Sequence, residues 1–105
     1  MKFKTSQSEL NKALNFVSKA VTTRSTMPIL KGILLKVTDD GKLTLTASDM
    51  EFSIEKTILV SDAEEGTIVL PARLFADIIR KLPNETVNIS LGDFYNVIIR
   101  TTSSE

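Results

Sequence analysis

Residues 42–48 alternate between polar and apolar without a break, as Lys42-Leu43-Thr44-Leu45-Thr46-Ala47. Successive side chains of a strand point to opposite sides, so this run has one buried face and one solvated face, as in an antiparallel sheet. Asp39-Asp40-Gly41 just before it is a turn signal, with Gly41 supplying the positive φ that closes a hairpin. The partner strand spans 31–38 and aligns Ile33, Leu35 and Val37. A further strand is expected over 51–60, with Phe52, Ile54, Ile58 and Val60 on one side. A sheet with one apolar face must bury it against another element.

Two helical stripes supply that cover. Ser6-Gln7-Ser8-Glu9 is a capping box, in which the Ser hydroxyl accepts from the third helical N–H and the Glu reaches back. Behind it Leu10, Ala13, Leu14, Val17 and Val21 recur at spacings of three and four, which predicts an amphipathic helix over roughly 6–20. A loop over 22–28 follows, closed by Pro28. Pro71 suits the first helical position, and Leu74, Phe75, Ile78, Ile79 and Leu82 make a second stripe over 72–82, ended by Pro83-Asn84.

The remaining pieces are a strand over 1–5, an acidic loop (Asp62, Glu64, Glu65, Gly66) and a short strand over 67–70. Val87, Ile89 and Leu91 alternate, Gly92-Asp93 turns the chain, and Tyr95, Val97, Ile99 and Thr101 alternate again. The order reads βαβββ and then βαββ, so the second half looks like a copy of the first without its last strand. The fold class is α+β, with two helices packed on one face of antiparallel sheet. The polar end Thr102-Ser103-Ser104-Glu105 falls where a strand ought to continue, which reads as a truncation. A natural two-plus-two irregularity is the other reading. Phe3, Phe16, Phe52 and Phe75 are assigned to the core, and Phe94 and Tyr95 to a turn.

Composition narrows the chemistry. The 105 residues include no Cys and no His. Disulfides, thiolate sites, the Ser-His triad and the usual zinc ligand are all missing from the inventory. No catalytic residue, cofactor or metal is assigned. The pair Gly41-Lys42 sits in a hairpin and makes no phosphate-cradling loop. Asp49 and Glu51 could pair on Mg²⁺, but acids at such spacing on a strand end more commonly form a solvated turn, as do Asp39 and Asp40. Apolar runs stop at three or four residues, such as Ile33-Leu34-Leu35 and Val97-Ile98-Ile99, too short for a membrane helix. The sequons at Asn84 and Asn88 then read as chance matches, and the expected setting is cytoplasmic, with no membrane partner.

Thirteen Lys and Arg balance thirteen Asp and Glu, yet the charges are segregated. Residues 6–27 carry Lys12, Lys19 and Arg24 against Glu9, a balance of +2. Residues 71–82 carry Arg73, Arg80 and Lys81 against Asp77, again +2. The strands and connections therefore sum to −4. With both helices on one side of a sheet, that side is basic, which suits phosphate binding. Solvated helix faces carry such charges too, and Arg80 and Lys81 favour the helix dipole without any ligand.

Three stretches carry a family resemblance. Arg24-Ser25-Thr26-Met27-Pro28-Ile29-Leu30-Lys31-Gly32-Ile33-Leu34-Leu35 resembles the signature near the start of the bacterial sliding clamps, the beta subunits of DNA polymerase III. Leu43-Thr44-Leu45-Thr46-Ala47-Ser48-Asp49-Met50-Glu51 resembles that family's next strand. Leu70-Pro71-Ala72-Arg73-Leu74-Phe75 with Ile78-Ile79-Arg80-Lys81-Leu82-Pro83 resembles its second helix. The opening Met1-Lys2-Phe3 also fits.

The resemblance implies a non-catalytic processivity factor with the DNA clamp fold. In that family each chain has three domains of doubled βαβββ units, and two chains close a ring around duplex DNA. Residues 1–105 would be the first clamp domain, incomplete at its C-terminal end, with domains two and three absent. The implied DNA-binding residues are Arg24 and Arg73; Lys12, Lys19, Arg80 and Lys81 are added by charge and helix position. The implied partners are double-stranded DNA, a second clamp chain, the replicative polymerase and the clamp loader. Two other classes stay open: an interaction or scaffold domain that uses its sheet edge, and a small carboxylate-dependent enzyme built on Asp49 and Glu51.

Overall fold

A computed structural model describes residues 1–24, 32–48, 53–92 and 96–101, with the backbone alone for 19–24. The elements are β1 (Lys2–Ser6), α1 (Gln7–Arg24), β2 (Ile33–Thr38), β3 (Lys42–Ser48), β4 (Ser53–Leu59), β5 (Ser61–Glu64), β6 (Gly66–Leu70), α2 (Ala72–Lys81), β7 (Thr86–Leu91) and β8 (Val97–Thr101). The fold is α+β, and every strand pairing is antiparallel.

The strands divide between two four-stranded sheets, ordered β4-β3-β2-β6 and β5-β1-β7-β8. The first grows from the expected hairpin. Gly41 has φ +87° and its N–H donates to the Thr38 carbonyl at 3.1 Å, which closes the turn between β2 and β3. The second sheet is assembled across the chain: β1 pairs with β7, Phe3 opposite Ile89 and Thr5 opposite Val87.

Both helices and both sheets contribute to one apolar core. Phe3 enters from β1, Leu10, Ala13, Leu14 and Val17 from α1, and Ile33, Leu35, Leu43 and Leu45 from the first sheet. Phe75 and Ile79 come from α2, and Val87 and Ile89 from β7. Each fully buried side chain of this kind contributes about 1.5–3 kcal/mol over an exposed one. The helix α1 packs against β4, β3 and α2. Its N-terminus is fixed twice: the Glu9 N–H donates to Ser6 Oγ at 3.1 Å, and the buried Gln7 amide donates to the Ile79 carbonyl at 2.8 Å, at the far end of α2.

Four local expectations change. The first helix runs to Arg24, past residue 20, because no Gly or Pro interrupts Val21-Thr22-Thr23. Arg24 therefore ends a helix, and the loop expected over 22–28 does not start at 22. The acidic segment expected as a loop is instead the strand β5, held on the edge of β1 with Lys2 opposite Glu64 and Lys4 opposite Ser61. Opposite charges on adjacent strands favour that pairing. Phe16, assigned to the core, is 52% exposed, with the Lys56 ammonium 5.6 Å from its ring centroid. Pro71 precedes the helix as its cap residue rather than opening it.

Candidate nucleic-acid interface

The exposed cations of the helical layer follow from how each helix spends its apolar stripe. In α1 the stripe of Leu10, Ala13, Leu14 and Val17 is buried, which leaves Lys12 exposed. Lys19 and Arg24 belong to the last two turns of the same helix; their side chains lie outside the described residues. In α2, Ala72, Phe75 and Ile79 are buried, and Arg73, Arg80 and Lys81 are exposed. Because α1 and α2 pack directly on each other, Lys12 and the three α2 cations belong to one helical layer.

The α2 cations are not equivalent. Arg73 stands in the first turn, where the helix dipole is already positive and no acidic residue is present. A cation there opposes the dipole by about 0.3–1 kcal/mol, so its position is not explained by helix stability. Arg80 and Lys81 stand in the last turn, where the dipole favours them. Arg80 also pairs with Asp77 at 3.1 Å on its own helix. Its charge is partly answered locally, whereas Arg73 has no ion pair among the described residues. Such side chains on a rigid scaffold can meet phosphates without reading bases.

The carboxylate candidates divide. Asp49 and Glu51 lie outside the described residues, as do Ser25–Lys31, Phe52 and the Phe94-Tyr95 pair. Asp40 is used within its own turn: the Thr38 hydroxyl donates to it and Lys42 Nζ lies 3.8 Å away. The Thr38 hydrogen bond, and then the Lys42 charge, hold its carboxyl below the ordinary range. Among the described residues no three acidic side chains are grouped as metal ligands, and no helix is long and apolar enough to cross a membrane.

Two surfaces were not singled out from the sequence. The first is an apolar groove of about 200 Å³ between α2 and β8, lined by Pro71, Leu74, Ile78, Val97 and Ile99. Leu74 is 59% exposed there, although the stripe Leu74-Phe75-Ile78-Ile79 marks it as core. The second is a basic cleft on the outer face of the second sheet, made by Lys2, Lys4 and Arg100 around Asn88 and Ser90. Its sequence signal is the alternation Lys2-Phe3-Lys4, but which strand lies two places away could not be read from it.

The whole chain, residues 1–105, matches the family model for the N-terminal domain of the DNA polymerase III beta subunit. It is 40% identical to the beta sliding clamp of Bacillus subtilis over 113 aligned residues, which takes in 100% of this chain and 30% of that protein. Against the beta sliding clamp of Staphylococcus aureus strain Mu50 it is 40% identical over 100 residues, 88% of this chain and 26% of that one. Among solved structures, a putative DNA polymerase III beta subunit from Eubacterium rectale superposes with a TM-score of 0.84 at 39% identity, over 99% of this chain and 28% of that one. The Bacillus subtilis DNA polymerase sliding clamp superposes with a TM-score of 0.81 at 38% identity, over 99% of this chain and 29% of that one. The chain thus spans about three-tenths of the length of the first of these relatives.

Proposed function

Because the chain belongs to the DNA polymerase III beta subunit family, in its N-terminal domain, we propose that it acts as part of a sliding clamp. In this reading it is a non-catalytic processivity factor that surrounds duplex DNA and tethers the replicative polymerase in the cytoplasm. Residues 1–105 form the first of three similar domains, and the helical layer faces the DNA. The observation that carries the reading is the full-length family match on a fold whose two packed helices expose Lys12, Arg73, Arg80 and Lys81.

The physical logic is a division of labour. A clamp must stay on DNA and still slide. Retention comes from ring closure, so each contact can be weak and blind to sequence. Cations on long side chains provide such contacts by displacing counterions from phosphates. Arg24 and Arg73 are the assigned DNA-binding residues. Lys12, Lys19, Arg80 and Lys81 supplement them. A second clamp chain, the polymerase and the clamp loader are the assigned protein partners. The apolar groove beside α2, with Leu74 and Ile78 exposed, favours burial against further protein of the ring.

The test is the salt dependence of duplex binding by the assembled clamp on DNA with blocked ends. Arg24→Ala and Arg73→Ala each weaken binding, and each lowers the slope of log K against log salt by about 0.9. An unchanged slope in the double variant overturns the residue assignment. Tight, sequence-selective binding would overturn the mechanism itself.

A further inference from the structure

The second sheet turns a basic face to solvent. Along its strands, Lys2 and Lys4 of β1, Asn88 and Ser90 of β7, and Ile98 and Arg100 of β8 alternate with the core-facing Phe3, Ile89 and Ile99. The register places Lys2 opposite Ser90 and Ser90 opposite Ile98. It likewise places Lys4 opposite Asn88 and Asn88 opposite Arg100. Together they line a cleft of about 270 Å³.

We propose that this cleft is a docking site for an extended acidic polypeptide segment with carboxylates at alternate positions. Four observations support that occupant. Lys2 and Lys4 are two residues apart on one strand, so they repeat at ~7 Å, the spacing of alternate side chains in an extended peptide. Arg100 lies two strands away from Lys4, at ~10 Å, within reach of a long side chain on the same segment. The Asn88 amide, between Lys4 and Arg100, and the Ser90 hydroxyl, beside Lys2, can donate to carboxylate or main-chain oxygens. Ile98, 38% exposed, offers an apolar contact to a neighbouring side chain.

The molecule already contains one such contact. Asp62 of β5 places its carboxylate 3.0 Å from Lys4 Nζ. Lys2 and Arg100 have no close ion pair among the described residues, Lys2 acting on Asp62 through its charge alone, so both the ammonium and the guanidinium remain open to a carboxylate contact. The same flank argues against a nucleic acid here. Asp62, paired with Lys4, and Glu64, opposite Lys2, border the cleft on the β5 side and repel a polymer charged at every repeat. A peptide can carry its acids over β1 and β8 and its neutral positions elsewhere. This surface is separate from the helical layer, and the proposal stands whether or not that layer binds DNA.

The experiment is a fluorescence-anisotropy titration of the full chain, at low salt, with a labelled hexapeptide alternating Glu and Val. A matched peptide with Gln for Glu, inorganic phosphate and a short DNA duplex serve as the other arms. The Glu peptide should bind at least about tenfold more tightly than the Gln peptide, and Lys2→Gln with Arg100→Gln should remove about that factor. Both side chains are exposed, and an unchanged thermal melt shows that the variant is folded. Equal binding of the two peptides overturns the proposal, as does an unchanged affinity in the double variant. Loss of duplex or phosphate binding in that variant, with peptide binding retained, overturns it in favour of a phosphate site.

Discussion

Asp62 occupies a left-handed conformation, φ 49°, in the middle of an edge strand. Asp tolerates that region better than most residues, and the register between β1 and β5 shifts there, so the position behaves as a bulge that aims its side chain. The target is Lys4. A hydrogen bond from Lys4, then the charges of Lys4 and Lys2, hold the Asp62 carboxyl below the ordinary carboxylate range. A depressed folded-state pKa means the stabilisation is fully present above the unfolded value of about 3.9 and is lost as pH falls through the folded value. We expect an NMR titration of Asp62 to show a midpoint below that of a free carboxylate. Lys4→Met should raise it toward the ordinary value; a midpoint indifferent to Lys4 would contradict the assigned cause. The pairing was invisible in the sequence because Lys4 and Asp62 are far apart along the chain and meet only when β5 joins β1.

At the level of elements, local chemistry was legible and long-range pairing was not. The hairpin at Gly41, the Ser6 cap and the extent of α2 follow from residues within a few positions of each feature. The end of α1 did not, because its apolar stripe stops at Val21 while nothing after it breaks a helix. The acidic stretch 62–65 read as a loop, since its charges lack a strand's alternation. It became β5 because the free edge of β1 presents Lys2 and Lys4 to it. The link between the two helices was likewise hidden. Gln7 looks like the polar second residue of a capping box, yet it is buried and bonds the Ile79 carbonyl in the last turns of α2. Gln7→Leu removes that donor, while the Leu82 N–H still reaches the same carbonyl at 3.2 Å, so urea denaturation should show a loss of about 0.5–1.5 kcal/mol, the net worth of one hydrogen bond. A neutral result would mean that the Leu82 N–H satisfies the carbonyl by itself and that the Gln7 bond adds nothing.

At the scale of the whole molecule, zero net charge resolves into a basic helical layer and an acidic remainder. That segregation was legible from residue numbers alone, because each helix keeps its charges on one element. The basic cleft on the second sheet was not, since it draws Lys2, Lys4 and Arg100 from opposite ends of the chain. Nor could the sequence rank the helical cations. Only the structure separates Arg73, which has no ion pair among the described residues, from Arg80, which leans on Asp77 at 3.1 Å. An exposed pair of this kind is worth little to stability, typically about 0.3–0.5 kcal/mol for helical neighbours. Under the proposed function it nonetheless offsets a charge available to phosphates. Asp77→Asn therefore isolates the effect: it frees Arg80 and raises the helical balance by one charge while leaving every buried contact in place. We expect the assembled clamp to bind end-blocked duplex more tightly, with the salt slope steepened by at most about 0.9, the value for one added phosphate contact. Thermal stability should change by less than about 0.5 kcal/mol. If affinity and slope stay unchanged, Arg80 does not face the DNA, and the proposed interface contracts to Arg73, Lys81 and the α1 cations.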